Sequence, residues 1–228
     1  MENFDFAVIA HAFPYLLNGM ALTLRLTALA TIFGFSLGTV LALMRLLSTG
    51  IVSTTAALYV DAMRSIPLLL VIFWFYFLVP YIGAWMVGSP QPIQVGAFRS
   101  AVVSFTLFEA AYFCEIMRAG IQSIARGQTS AGYALGLTYG QTMLSIVLPQ
   151  AIRNMTPALV TRIIIIFQDT SLVYVLSMTD FLGAASQIGQ RDSRLTELYL
   201  FAAGVYLVIC FTTSRFAARL ESRTKVVR

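Results

Sequence analysis

Long uncharged runs alternate with short polar segments along the whole chain. Residues 26–44, 65–98 and 198–214 contain no Asp, Glu, Lys or Arg. A helix needs about 20 mostly apolar residues to cross about 30 Å of hydrocarbon. The pattern therefore predicts about five membrane-spanning helices, over residues 19–46, 53–79, 98–120, 146–176 and 197–218.

Composition supports this prediction. Of the 228 residues, 58% are hydrophobic and 11% are charged, whereas roughly a quarter of the residues of a soluble domain are charged. We therefore expect an all-α membrane protein that forms a single transmembrane domain over residues 1–228. The net charge of +5 is concentrated in the last fourteen residues, RFAARLESRTKVVR, so it does not indicate a nucleic-acid partner.

The distribution of basic residues predicts the orientation in the membrane. An odd number of spans places the termini on opposite sides, and basic residues collect in cytoplasmic segments. With the N-terminus outside, the outer segments hold Arg99, Arg191 and Arg194. The cytoplasmic segments then hold more basic residues: Arg45, Arg118, Arg126, Arg215, Arg219, Arg223, Lys225 and Arg228. We therefore expect the N-terminus outside and the C-terminus inside.

Residues 122–145 form the longest segment between predicted spans on the cytoplasmic side. The segment contains a loop, ARGQ, then a short run that can form a helix, TSAGYALGLT, and then a glycine turn before the chain re-enters the membrane. The helical part of the segment has four turns at most, which is too short for another span, so we expect a structured cytoplasmic protrusion.

The spacing of this segment resembles the coupling loop of the permease subunits of ABC importers. That loop reads EAA, three residues, Gly, nine residues, then Ile-x-Leu-Pro. In this chain nine residues separate Gly136 from Ile146, and Leu148 and Pro149 follow in the expected places. Counting back from Gly136 puts the EAA position on 130–132, which reads Ser-Ala-Gly.

The literal letters EAA occur elsewhere, at Glu109-Ala110-Ala111. They lie about ten residues into the third predicted span, so they cannot form a cytoplasmic loop. The resemblance instead implies a coupling helix at 128–138 that docks on a separate ATPase. Because serine can cap a helix N-terminus, we expect Ser130 to replace the family's glutamate as the polar anchor. The predicted coupling residues are Ser130, Ala131, Gly132, Leu135, Gly136, Ile146, Leu148 and Pro149.

The resemblance extends over nearly the whole chain and is closest to glutamate/aspartate permeases. It covers the stretches LLNGMALTLRLT (16–27), RSIPLLLVIFWFY (64–76), YFCEIMRAGIQSIARGQ (112–128) and FQDTSLVYVLS (167–177). It implies a type I ABC importer permease fold in the bacterial inner membrane. The implied function is the translocation of polar amino acids, glutamate and aspartate foremost, by alternating access. Glutamine, histidine and arginine stay open as substrates.

The resemblance also implies partners. These are a dimeric ABC ATPase, a second, non-identical permease, and a periplasmic amino-acid-binding protein that docks on the outer loops near 80–97 and 180–196. The chain contains no G-x-x-x-x-G-K-[ST] pattern, so ATP hydrolysis is assigned to the partner and the chain itself is predicted not to be an enzyme. No cofactor or metal site is predicted. An ion-coupled secondary transporter is the alternative, although five spans without a detected inverted repeat argue against it.

Charged residues inside spans are costly and are usually functional. For Arg162, in the middle of the fourth span, the sequence leaves two main roles open. Its planar guanidinium could bind a substrate carboxylate, or it could pair with Glu109 or Glu115 of the third span. The nearby stretch 169–171 resembles the family's Asp-Thr-Ser segment beside the translocation path. The predicted substrate path therefore comprises Arg162, Asp169, Thr170 and Ser171.

Four other charged residues are predicted to be structural. Glu115 and Arg118 are three residues apart and share one helix face. Arg64 precedes Ser65-Ile66-Pro67 and marks a kink, because proline restricts the residue before it. Glu109 completes this group as a buried charge.

Overall fold

The computed structural model describes residues 6–224, and the side chains of 7–219. Every regular element within this range is helical. The α-helices are α1 (Phe6–Leu47), α2 (Ile51–Arg64), α3 (Leu68–Phe73), α4 (Val79–Met86), α5 (Ala97–Gln122), α6 (Arg126–Ala134), α7 (Tyr139–Thr142), α8 (Leu148–Asp169), α9 (Phe181–Arg191) and α10 (Leu195–Thr224). Two π-helical segments, Trp74–Leu78 and Met143–Val147, and a 3₁₀ segment, Thr170–Leu176, join some of them.

Five stretches are long and apolar enough to cross a membrane. They are Ala7–Leu47, Leu68–Met86, Ala97–Gln122, Tyr139–Leu176 and Leu195–Arg219. The all-α membrane fold with five spans is therefore confirmed. The side of the membrane on which each terminus lies stays a prediction.

The boundaries of the second span were predicted wrongly. The predicted span 53–79 joins two separate elements, because α2 ends at Arg64 and α3 begins at Leu68 after the N-cap Pro67. Proline has no N–H to extend the hydrogen bonds of α2, and it keeps the preceding residue out of helical geometry. The observed span starts at Leu68 and continues through the predicted outer loop as far as Met86.

The second predicted outer loop, 180–196, is also corrected. Most of it forms α9, which buries Phe181, Ala184, Ala185 and Ile188 against α1 and α10. These residues recur at helical spacing, so their apolar side chains line one face. The glycine and serine content of the segment suggested a loop, but here small residues permit close helix packing.

Asp180 is the N-cap residue of α9 and is fully buried. Its carboxylate accepts hydrogen bonds from the backbone N–H groups of Leu182, at 3.1 Å, and Gly183, at 3.0 Å. Burial nevertheless raises the pKa of the Asp180 carboxyl to about 6. The charged form of this cap therefore costs free energy at neutral pH.

Asp180→Asn is expected to abolish part of the pH dependence of stability. A carboxyl with a higher pKa in the folded chain binds more protons there than in the unfolded chain. Its contribution is therefore present below about pH 4 and is lost as pH rises through about 6. The rise in the pKa of Asp180 on folding, to about 6, corresponds to a loss of about 3 kcal/mol in the free energy of unfolding over this pH range.

Thermal unfolding of the purified protein in detergent at pH 5 and 7 measures this loss. The midpoint of the wild type should fall with pH more than that of Asp180→Asn. The control Asp192→Asn, at an exposed position paired with Arg191, should retain the wild-type fall, and an equal fall in all three proteins would contradict the prediction.

Two glycines let α1 approach α5 closely in the middle of the bundle. A Cβ atom on Gly34 would lie 2.8 Å from the Cβ of Glu109, and one on Gly38 would lie 2.7 Å from the Cβ of Phe113. Small residues that bring helix backbones together are typical of membrane interfaces. The α1–α5 contact encloses Glu109 on one side.

Candidate functional site

Arg162 of α8 and Glu109 of α5 form a buried ion pair. The Nε–Oε2 distance is 2.6 Å and the Nη2–Oε1 distance is 2.7 Å, so the pair is bidentate. Glu109 is 0% exposed and Arg162 is 8% exposed. Of the two roles left open for Arg162, the structure therefore contains the internal pair, and its partner is Glu109 rather than Glu115.

The aromatic ring of Tyr112 extends this pair along α5. The guanidinium carbon of Arg162 lies 3.7 Å from the centroid of the Tyr112 ring. A cation over an aromatic face is stabilised by the ring quadrupole. Tyr112 lies one helical turn after Glu109 on α5, so the same face of this helix presents the carboxylate and the ring to Arg162.

The predicted path residues 169–171 lie where α8 changes into the 3₁₀ segment. Thr170 is fully buried, and its hydroxyl donates to the carbonyl oxygen of Phe167 at 2.7 Å. Asp169 and Ser171 are half-buried. Within residues 7–219, the Asp169 carboxylate accepts no hydrogen bond and forms no ion pair at contact distance. In this conformation the Thr170 hydroxyl stabilises the helix end, while Asp169 and Ser171 retain some exposure.

A stripe of polar side chains runs along the exposed face of α8. It consists of Asn154, Thr161 and Gln168, each exposed and each two helical turns from the next. Polar side chains within spans usually face protein or a water-filled cavity rather than lipid. The stripe therefore marks the face of α8 that borders a path or a partner. The spacing of seven residues is visible in the sequence, but the predicted substrate path was based on the charged residues within the spans instead.

Glu115 is the centre of a cluster that joins three helices. Its carboxylate accepts hydrogen bonds from Arg45 of α1 and from Arg118 of α5, the latter at 2.7 Å from Nη2. Nη1 of Arg64, at the end of α2, lies 3.7 Å from Oε2. The structure thus brings together the predicted structural residues Arg64, Glu115 and Arg118. It adds Arg45, which the sequence indicated only as a marker of orientation.

A cleft opens between α5 and α8 beside this cluster. Its volume is about 470 Å³, and its polar lining consists of Arg64, Glu115, Ser123 and Asn154. Small and apolar residues of α5 and α8 line the rest. We refer to it as the Arg64 cleft. It contains the first residue of the polar stripe, so the two features are continuous.

The helix in the coupling segment differs from the predicted helix 128–138 in its bounds and in its N-cap. The observed helix α6 spans Arg126–Ala134, and its N-cap is Ala125, which provides no side-chain cap. Ser130 lies inside α6, where its hydroxyl donates to the Arg126 carbonyl oxygen at 3.2 Å. The prediction that Ser130 caps this helix is therefore wrong. The residue of this segment that caps a helix is Thr138, which forms a capping box with Gln141 at the start of α7.

Helix α6 is fixed to the following span at one point and exposed elsewhere. A Cβ atom on Gly132 would lie 2.7 Å from the Thr142 methyl group and 3.2 Å from Ile146 Cδ1. Beyond α6, Gly136 has a φ of 77°, a conformation that favours glycine. The turn that it forms leaves Leu135 78% exposed and Tyr133 48% exposed. The end of α6 is therefore an apolar surface on a rigid support.

The other predicted coupling residues lie on either side of this surface. Ala131 is exposed on α6, while Ile146 and Leu148 are half-buried in the π segment and the start of α8. Pro149 lies directly after the π segment, within the helical stretch that begins at Tyr139.

Comparisons with known proteins show what the chain is similar to. A family model for binding-protein-dependent transport system inner membrane components matches residues 34–226. The chain is 49% identical over 224 residues to the glutamate/aspartate import permease protein of Escherichia coli O157:H7, covering 98% of this chain and all of the relative. It is 32% identical to an arginine transport system permease protein of Bacillus subtilis, covering 98% of each.

Solved structures have the same fold. A crystal structure of an amino acid ABC transporter with histidines superposes with a TM-score of 0.86 and 30% identity, over 97% of this chain and 99% of that one. A subunit of an inward-facing methionine ABC transporter, at 18% identity, matches the fold with a TM-score of 0.70, over 93% and 97% of the two chains. The predicted type I ABC importer permease fold is therefore confirmed.

Proposed function

Since this chain belongs to the family of binding-protein-dependent transport system inner membrane components, we propose that it is the permease subunit of an ATP-driven importer of glutamate and aspartate. The observation that carries the ATP-driven part of the proposal is the apolar end of α6, where Leu135 and Tyr133 are exposed beside a rigid turn. The whole-length identity to a glutamate/aspartate import permease supports the substrate.

The end of α6 is proposed to dock on a dimeric ABC ATPase in the cytoplasm. An exposed leucine and tyrosine on a short rigid helix fit a hydrophobic groove, which is a recurring mode of protein recognition. The close contact of Gly132 with Thr142 and Ile146 transmits a displacement of α6 directly to the helical stretch that begins at Tyr139. Movement of the ATPase would then tilt the fourth span.

The substrate path is proposed to follow the polar stripe of α8, between this chain and a second, non-identical permease. Asn154, Thr161 and Gln168 offer hydrogen-bonding groups along the stripe, and Asp169 and Ser171 lie beyond its far end. Alternating access then requires the two permeases to reorient around this shared path. A periplasmic amino-acid-binding protein would deliver substrate at the opposite end of the bundle from α6, near residues 87–96 and α9.

The proposal is tested by reconstituting the chain in liposomes with its ATPase, its partner permease and the cognate binding protein. ATP-dependent uptake of radiolabelled glutamate and aspartate, lost when the ATPase carries a Walker lysine substitution, is expected. Uptake by the chain alone, driven by a proton gradient without ATP, would indicate the ion-coupled alternative. Uptake restricted to arginine, histidine or glutamine would reject the acidic substrate while retaining the importer.

A further inference from the structure

Arg64 differs from the other arginines around Glu115 in the way it is held. Arg45 and Arg118 donate hydrogen bonds to the Glu115 carboxylate, and Arg118 also donates to Gln122 at 2.6 Å. Arg64 approaches Glu115 only to 3.7 Å, and 41% of its side chain is exposed. Its guanidinium donates no hydrogen bond to any residue whose side chain the structure describes. Arg64 therefore has donors available to a ligand in the Arg64 cleft.

The position of Arg64 is nevertheless fixed. It is the last residue of α2, directly before the helical structure is interrupted at Ser65–Pro67. Its guanidinium carbon lies 5.6 Å from the centroid of the Tyr112 ring, which also contacts Arg162. Tyr112 thus supports two guanidinium groups, of which one is fully neutralised by Glu109 and the other faces the cleft. A cation held in this way is preorganised for an anion.

The charge around the cleft favours an anion. Three arginines, Arg45, Arg64 and Arg118, surround Glu115, and Asp61 of α2 is the other acidic residue close to Arg118. Three positive charges against two negative charges leave one positive charge. Charge complementarity of this kind attracts a carboxylate and repels a basic amino acid.

The cleft also provides a partner for an amino group. Asn154 donates from Nδ2 to the Ser123 hydroxyl at 2.9 Å. Its Oδ1 accepts no hydrogen bond from the described part of the chain, so it is available to an ammonium group. A volume of about 470 Å³ accommodates a small amino acid.

We propose that Arg64 determines the preference for acidic amino acids by binding the substrate's side-chain carboxylate in the Arg64 cleft, with Tyr112 as the residue that positions it. This inference rests on the proposed function, because it assigns a substrate contact in the same permease. Arg64 is thereby given a binding role in place of the purely structural role that the sequence suggested. Arg162 is neutralised within the bundle and is not required for this contact.

The test compares uptake by the reconstituted complex carrying Arg64→Gln, Arg64→Lys or wild-type permease. A charge-assisted bidentate contact is lost in Arg64→Gln, so we expect the KM for glutamate to rise about tenfold or more. Arg64→Lys keeps the charge and should retain part of the affinity. The matched control is Arg153→Gln, at an exposed position one residue before Asn154, which should behave as wild type. Basal ATPase activity of Arg153→Gln should equal that of the wild type.

A second measurement does not depend on the folding of variants. Phenylglyoxal modifies accessible arginines, and mass spectrometry of the assembled wild-type complex locates the modified residues. Glutamate should protect Arg64 from modification, and glutamine should protect it less. Equal modification of Arg64 with and without glutamate, or equal glutamate uptake by Arg64→Gln and Arg153→Gln, would overturn the inference. A wild-type complex that takes up no acidic amino acid would instead reject the proposed function.

Discussion

Replacement of Glu109 by alanine is expected to destabilise the permease by about 3–5 kcal/mol, because it leaves a buried arginine without a counter-ion. Glu109 is completely buried, and both of its oxygens bond to Arg162. The pair joins α5 to α8 in the middle of the bundle, where water cannot replace the lost carboxylate. Gly34 packs against Glu109 from α1, so the defect reaches the contact between α1 and α5 as well.

The measurement is the thermal midpoint of the detergent-solubilised permease, followed by the fraction that stays monodisperse after heating. Glu109→Ala should lower both strongly. A double variant, Glu109→Leu with Arg162→Leu, provides the control, because replacing both partners of a buried pair by apolar residues is often neutral or stabilising. A double variant as unstable as Glu109→Ala, or a single variant as stable as wild type, would contradict the assignment of the pair as the dominant polar contact between these helices.

The sequence predicted the number of spans because hydrocarbon thickness imposes a length and a composition that a sliding window detects. It did not predict the break at Ser65–Pro67. The residues before this break, at 51–60, are apolar enough to resemble the start of a span, although α2 ends at the charged Arg64. It also missed α9, because the small residues that allow this helix to pack against α1 are the same types that occur in loops.

Part of the candidate site followed from the energetic cost of charge in a membrane. That cost made a partner for Arg162 necessary, and the third span offered Glu109 and Glu115 as candidates. The choice between them depends on the rotation of α5 relative to α8, which one sequence does not specify. The Arg64 cleft lay beyond prediction for a related reason, since its lining comes from α2, α5 and α8 and exists only after these helices pack.

The coupling segment shows how spacing and residue type can differ in reliability. The distance from Gly136 to the Ile146-x-Leu148-Pro149 end located the turn, and Gly136 has the positive φ that only glycine adopts readily. The capping role of Ser130 was inferred from the chemistry of serine and was wrong. A serine within a helix can bond to the carbonyl four residues earlier, as Ser130 does with Arg126, and the true start of α6 lies upstream.

Leu135→Asp is expected to abolish stable association with the ATPase while the permease remains folded in the membrane. Leu135 is 78% exposed, so it contributes little to packing within the chain and its loss should not change the thermal midpoint. A buried aspartate in an apolar groove, by contrast, would be desolvated without a partner. Loss of a central apolar anchor costs about 2 kcal/mol or more in an interface, which corresponds to at least about 30-fold weaker binding.

Copurification of the ATPase with the tagged permease measures this loss, and ATP-dependent uptake should fall with it. Gly127→Asp is the matched control. It introduces the same charge into the first turn of α6, where a Cβ atom would meet no other atom within 4 Å and where the helix dipole favours an acidic residue. Gly127→Asp should therefore retain the ATPase. If Leu135→Asp also retained it at the wild-type ratio, α6 would not be the docking element, and the ATPase would have to bind a different surface of the permease.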